Sequence, residues 1–199
     1  MHSIFEIFKI GVGPSSSHTM GPMIAANRFR SSVSKYLSGA PNQNAHFRIT
    51  VKLYGSLALT GIGHATDSAI LAGLSGCLPS TSETEEIQKS VQQIRESGIL
   101  TLPNNIQMDW EEPRDLIWLG NEFMPEHPNA MKFQLWNQTP TSQVQGGESD
   151  GETMVPLLEE DYFSTGGGFV YDRKELSELQ ASKIQACVVH TTEDRKSVV

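Results

Sequence analysis

Residues 46–67 read HFRITVKLYGSLALTGIGHATD, and two kinds of periodicity meet inside them. Phe47, Ile49, Val51 and Leu53 alternate with Arg48, Thr50 and Lys52. That is the period of a strand with one face on a core and the other toward water. A glycine-rich turn at 61–63 follows, and the small, apolar stretch after it predicts a helix from about Asp67. A strand that hands the chain through a polar turn to a helix is the frame for the rest.

Toward the N-terminus, Ser3 and Glu6 have capping-box spacing, which predicts a short apolar helix over Ile4–Phe8 ended by Gly11, Gly13 and Pro14. A second helix is predicted to begin near Thr19–Pro22. Met23, Ala26, Val33 and Leu37 form its apolar stripe, and Gly39 ends it. The polar run 15–19 therefore sits where the chain enters a helix, where unpaired N–H groups and the positive dipole end would face an anion. Downstream, Ser82 and Glu85 repeat the capping-box spacing ahead of Ile87, Val91 and Ile94, and Gly98 closes that helix. The second half is strand-rich: DLIWLG, MKFQLW and a stretch near 152–163 are candidates, with 137–152 as a long hairpin loop. GGGFVYD then leads into a polar helix around 173–183. The pattern predicts a single α+β domain, a mixed or antiparallel sheet covered by helices.

A chain of 199 residues can bury a substantial core. Its net charge of −8, with no Lys/Arg cluster longer than a dipeptide, argues against a nucleic-acid partner. No apolar run approaches the roughly 18 residues of a membrane span. The start, MHSIFEIFKIG, has no basic leader or small-residue cleavage site, which gives no support to a signal peptide. Cys77 and Cys187 permit one disulfide, but a reduced, cytoplasmic chain is the simpler expectation. Two cysteines alone cannot hold an iron–sulfur cluster or a structural zinc.

Four stretches carry residues capable of chemistry. GPSSSHT sets Ser15, Ser16, Ser17, His18 and Thr19 at a helix start, either as a nest for a carboxylate or phosphate or as a capping-rich surface turn. In GIGHATD, His64 can take a proton near neutral pH, with Thr66 and Asp67 beside it; a structural histidine next to an N-cap aspartate fits the spacing equally. A zinc site of His64, Asp67 and His127 lacks compact ligand spacing. EHPNAM projects His127 and Asn129 from a loop stiffened by Pro128, or is a turn with incidental polar residues. In DYFSTGGGFV, three glycines permit positive φ angles and close backbone approach, or a simple bend. Neither a phosphate loop nor a dinucleotide fingerprint is present.

Together FEIFKIGVGPSSSHTMGPM, LYGSLALTGIGHATD, HPNAM and YFSTGGGF resemble, in family order, the beta portion of bacterial iron–sulfur-dependent L-serine dehydratases, or L-serine ammonia-lyases. The resemblance runs from residue 4 to about 171, so residues 1–172 are expected to form the beta domain and 173–199 a divergent C-terminal segment. It implies deamination of L-serine to pyruvate and ammonia, with a [4Fe–4S] cluster whose ligands lie in an alpha portion and no metal ligand in this chain. Carried over by position, His64 is the base for the α-proton, with His18 and His127 as chemically able rivals. Thr66 or Asp67 would orient its surroundings. His127 and Asn129 would hold serine, and Ser15, Ser16, Ser17, His18 and Thr19 would bind its carboxylate or support the cluster-facing edge. Ala65 stands where the family often has glycine or histidine. The expected partners are L-serine, the alpha domain or subunit and further copies in a homo-oligomer, and no activity is expected without the alpha part. The family's beta domains also resemble the allosteric substrate-binding domain of phosphoglycerate dehydrogenases. The alternative is thus a regulatory serine- or anion-binding module without catalysis.

Overall fold

A computed structural model of the chain describes residues 15–39, 46–138 and 155–182. The expected helix at Ile4–Phe8, Cys187 and most of the 137–152 loop lie outside the described residues. In chain order the elements are α1 (Met20–Ser38), β1 (Phe47–Tyr54), α2 (Gly55–Thr60), α3 (Thr66–Ser75) and α4 (Thr84–Ser97). They continue with β2 (Ile99–Thr101), β3 (Gln107–Asp109), α5 (Glu112–Asp115), β4 (Leu116–Leu119), β5 (Ala130–Asn137), β6 (Leu158–Gly166) and β7 (Phe169–Asp172). Residues 173–182 are helical.

Five strands form one sheet in the order β4-β1-β5-β6-β7, and β2 pairs with β3 in a separate ribbon. The sheet is mixed: β4 runs parallel to β1, and the remaining neighbours are antiparallel. The expected alternation along β1 holds, with Ile49, Val51 and Leu53 buried beneath the helices. Opposite them on β5, Met131, Phe133 and Leu135 face the same way and are also fully buried. α1 adds Met23, Ala26, Phe29 and Val33, and the Phe29 and Phe133 rings meet with centroids 5.3 Å apart. Each such side chain removed from water stabilises the fold by about 1.5–3 kcal/mol before ordering entropy is counted.

α1 and α3 approach closely because Gly73 offers no side chain. A Cβ there would lie 2.7 Å from the Ala26 Cβ and closer still to the Met23 carbonyl oxygen. α4 presents only Ile87, Val91 and Ile94 inward, the amphipathic cover its pattern predicts, and Gly98 closes it at φ 65°. Its N-terminus differs from expectation. Glu83 is the N-cap and makes no side-chain cap bond, while the Ser82 hydroxyl accepts the Leu78 N–H at 3.2 Å. Glu85 and Glu86 in the first turn supply the favourable charge instead.

Two further differences bear on function. The stretch after β1 is helical rather than open, because Gly55 takes φ +52° and turns the strand directly into α2. The last candidate strand lies later than expected, at Leu158–Gly166. It turns into β7 through Gly166, Gly167 and Gly168 at φ 98°, 60° and 76°, a run that side-chain-bearing residues rarely adopt. Beyond β7, Leu176 is buried against Phe163 and Ala130, and Glu175 pairs with Arg28 of α1 at 2.6 Å.

Candidate functional site

The four polar stretches meet at the N-terminal end of α1. Residues 15–19 form a turn that runs straight into this helix. The His18 and Thr19 N–H groups both bond the Ser15 carbonyl, and the Gly21 N–H bonds that of Ser16. These donors are therefore spent inside the turn, unlike the open helix start expected from sequence.

Hydrogen bonds tie this turn to the other three stretches. The Gly167 N–H donates to Ser16 Oγ at 3.0 Å, which anchors the triple-glycine turn. Thr66 Oγ1 donates to the His18 carbonyl at 2.6 Å, which anchors the start of α3. The Ser56 N–H donates to the Pro128 carbonyl at 3.1 Å, and the Ser164 N–H to that of Asn129 at 3.0 Å. α2 is the hub: its Ser56 reaches His18 and Pro128, and its Thr60 reaches His64.

The three histidines differ in what their ring nitrogens do. His18 is buried at 8% exposure. Its Nδ1 accepts from Ser17 Oγ at 2.9 Å, and its Nε2–H points to the Ser56 carbonyl at 3.3 Å and hydroxyl at 3.2 Å. Burial holds its pKa below the ordinary 6.5; the Ser56 carbonyl opposes this, and charge on His64 adds to it. The two rings lie 5.0 Å apart between centroids, so protonating both is disfavoured. His64 bonds the Thr60 carbonyl through Nδ1 at 2.8 Å. A carbonyl only accepts, so Nδ1 carries the proton and the neutral ring keeps a lone pair on Nε2. His127 is the reverse: its Nδ1 accepts the Asn129 N–H at 3.1 Å, so the neutral ring carries its proton on Nε2. Burial lowers the His127 pKa as well.

The remaining sequence candidates are placed as follows. Ser15 and Ser17 hydroxyls contact one another at 3.3 Å beside His18. Thr19 and Thr66 are fully buried with their hydroxyl protons spent on the Ser15 and His18 carbonyls, so they build the turn. Asp67 is turned away from His64. Its carboxylate binds Arg95 at 2.6 Å, which also holds Glu112; the Thr60 carbonyl, rather than Asp67 or Thr66, orients the His64 ring. Ala65, between His64 and α3, sits at φ +57°. Asn129 donates from Nδ2 to the Ser164 carbonyl at 3.2 Å.

Sequence reasoning missed Ser56, Thr60 and Ser164. Ser164 lies in the quoted FSTGGG stretch, but Ser56 and Thr60 carry no signal except their place between a strand and a Gly-x-Gly turn. A cleft of about 700 Å³ elsewhere, lined by Arg28, Glu160, Tyr162, Asp172 and Arg173, includes none of the candidate residues. Among the described residues no three His, Cys, Asp or Glu side chains are placed to hold a metal ion. The buried Cys77 Sγ lies 3.6 Å from the Ser75 hydroxyl and 3.8 Å from that of Ser90. No described helix is long and apolar enough to cross a membrane.

Fold and site together define an α+β domain whose imidazole- and hydroxyl-bearing loops converge at one helix start. Residues 3–175 match the family described as serine dehydratase beta chain, and the chain belongs to that family. It is 40% identical over 177 residues to an L-serine dehydratase of Helicobacter pylori, covering 89% of this chain and 34% of that protein. It is 38% identical over 175 residues to L-serine dehydratase TdcG of Escherichia coli, covering 87% and 34%. Against an L-serine dehydratase of Mycobacterium tuberculosis it is 40% identical over 172 residues, covering 84% and 32%. The chain thus spans about a third of the length of the curated relatives it matches.

Proposed function

We propose that this chain supplies the base and the substrate-holding groups of an L-serine ammonia-lyase that converts L-serine to pyruvate and ammonia. The observation that carries the reading is the complementary state of the histidines where the four stretches meet. His64 keeps a lone pair on Nε2, His127 offers an N–H, and His18 has both nitrogens engaged. His64 is therefore the base for the α-proton, which separates it from its two rivals.

In this reading His64 Nε2 takes the proton from Cα, and the electron pair left behind expels the β-hydroxyl as hydroxide, which recovers that proton and leaves as water. The resulting 2-aminoacrylate tautomerises to an imine, which water hydrolyses to pyruvate and ammonia. The His127 N–H donates to a substrate oxygen, and the Ser15 and Ser17 hydroxyls face the carboxylate. The described residues do not fit a [4Fe–4S] cluster, having no group of donors to ligate one. The proposal accordingly leaves its ligands to an alpha portion, within a homo-oligomeric, cytoplasmic enzyme. The fold is proposed to share its layout with the allosteric substrate-binding domain of phosphoglycerate dehydrogenases.

The test is to combine this chain with the cluster-bearing alpha segment of a relative and follow pyruvate release. Expected are no turnover from the chain alone, turnover on mixing, and a loss of about 10²–10⁴-fold in kcat for His64→Gln. Tight serine binding by the isolated chain, with no turnover in the mixture, would overturn the lyase reading in favour of a regulatory module.

A further inference from the structure

α2 and the loop after β4 carry large apolar side chains turned to solvent. Leu59 is 63%, Ile62 73% and Phe123 63% exposed. Gly55, Leu59 and Ile62 follow at spacings of four and three, which sets them on one face of the helical stretch. Two glycines draw the loop onto that face. A Cβ on Gly55 would stand 2.9 Å from Phe123 Cδ1, and one on Gly120 would stand 2.9 Å from Leu59 Cδ2. The three side chains therefore form one strip. Residues 55–66, GSLALTGIGHAT, contain no Asp, Glu, Lys or Arg. A contiguous apolar strip without charge is the character of an interface core.

The strip joins the two loops that carry His64 and His127. Ile62 stands two residues before His64, and Phe123 four before His127, with Pro125 and Pro128 also exposed in that loop. Both histidines are half-buried, so a body seated on the strip borders both rings. The end of the family match comes to the same place. It falls at residue 175, inside the helical stretch 173–182. Arg173 at the start of that stretch pairs with Glu126, and Leu176 shares a small core with Ala130 and Phe163, on which Met124 packs. A segment carried on from this helix starts beside the strip.

The surroundings of the strip select its occupant. Glu122, next to Phe123, is exposed, and a negatively charged lipid surface would be repelled there. A second copy of this chain would repeat the groups already present, and its described residues bring no donor set for a metal. The curated relatives, by contrast, run to about three times the length of this chain, so most of each lies outside the match. We propose that Leu59, Ile62 and Phe123 form the seat of the alpha segment, which meets them with an apolar, charge-poor face of its own. This assignment rests on the lyase reading and adds to it the surface through which the two parts join. Seating a partner there also screens the His64 Nε2 lone pair from bulk water, which otherwise competes for the base.

The experiment titrates the full chain with the cluster-bearing segment of a relative by calorimetry and follows pyruvate release from the same mixtures. The double variant Leu59→Glu/Phe123→Glu should bind at least about tenfold more weakly. With the segment in excess its turnover should return to near that of the unaltered pair, because neither side chain belongs to the histidine site. Ile62→Gln, at the most exposed of the three positions, keeps the test open if the double variant folds poorly, and should also weaken binding. Tyr36→Glu is the control, an exposed aromatic about 24 Å along α1 from its start, and should bind within twofold of the unaltered chain. Affinity unchanged in the double variant and in Ile62→Gln would overturn the seat and leave the lyase reading intact. So would sedimentation showing that the double variant splits a dimer of this chain without weakening its hold on the segment. Binding that the double variant weakens, with no pyruvate from any mixture, would overturn the lyase reading and leave the seat. No binding by the unaltered chain would overturn both.

Discussion

Gly55 joins the fold to the site more directly than any other single residue, and Gly55→Ala makes that link measurable. Gly55 holds φ +52° where β1 turns into α2, and a Cβ there would stand 2.6 Å from the Pro128 carbonyl oxygen and 2.9 Å from Phe123 Cδ1. The left-handed conformation costs a side-chain-bearing residue about 1–2 kcal/mol. The enforced approach to a backbone oxygen adds about 1–3 kcal/mol, and the stiffer unfolded chain returns about 0.4–1 kcal/mol. The net loss is roughly 2–4 kcal/mol, which for a chain of this size lowers Tm on the order of 10 °C. The same clash pushes on the carbonyl that accepts the Ser56 N–H, and so on the loop bearing His127 and Asn129. Turnover of the reconstituted enzyme should fall at least tenfold even below the new Tm. Gly63→Ala is the control: an added Cβ there meets nothing within 4 Å, and the position has no positive φ. Thermal unfolding followed by circular dichroism, alongside pyruvate release, reads both effects. If Gly55→Ala and Gly63→Ala behave alike in both measurements, the argument from the Gly55–Pro128 contact is wrong.

Four further outcomes are expected. Asp115 is fully buried and receives Arg48, the Nε and one Nη of Arg114 and the Glu111 N–H. Asp115→Ala should therefore destabilise by about 3–5 kcal/mol in urea unfolding, and a loss below 1 kcal/mol would contradict that network. Gly73→Ala forces α3 off α1 at Met23 and Ala26 and should cost about 1–3 kcal/mol despite the better helix propensity of alanine. Ala65→Gly relieves the positive φ beside His64 and should leave Tm unchanged or raise it by a few degrees; a clear drop would show that the strain is absent. The folded His127 has a pKa below 6.5, so the unfolded chain binds more protons in the window just beneath that value. The stability tied to its neutral ring is complete above about pH 6.5 and declines as pH falls through the window, levelling off below the folded pKa. His127→Gln should flatten part of the stability loss between pH 7 and pH 5, and identical slopes for the two proteins would exclude the effect.

Much of the scaffold was legible locally. The alternation in 47–53 marks β1 because a strand exposes every second residue to one face, and the small-residue run after His64 marks α3 because it packs closely on α1. α2 was not legible. Its six residues carry no helical stripe, and the Gly55 turn against Pro128 is what makes that stretch helical. The Ser82–Glu85 spacing misled for a related reason, since the Ser82 hydroxyl found a nearer donor in Leu78.

The candidate site divides along the same line. Residue types and order offered His18, His64, His127, Asn129 and the serines as candidates beside plain structural readings, and the family resemblance gave them their expected roles. Which histidine keeps a free lone pair, and that Asp67 spends its charge on Arg95, depend on partners up to 38 positions away in the chain and could not be read in advance. Local sequence determines the elements because φ, ψ and side-chain periodicity act over a few residues. Protonation and hydrogen-bond roles were decided only by tertiary structure, because they depend on which carbonyl or N–H the fold carries to each ring nitrogen.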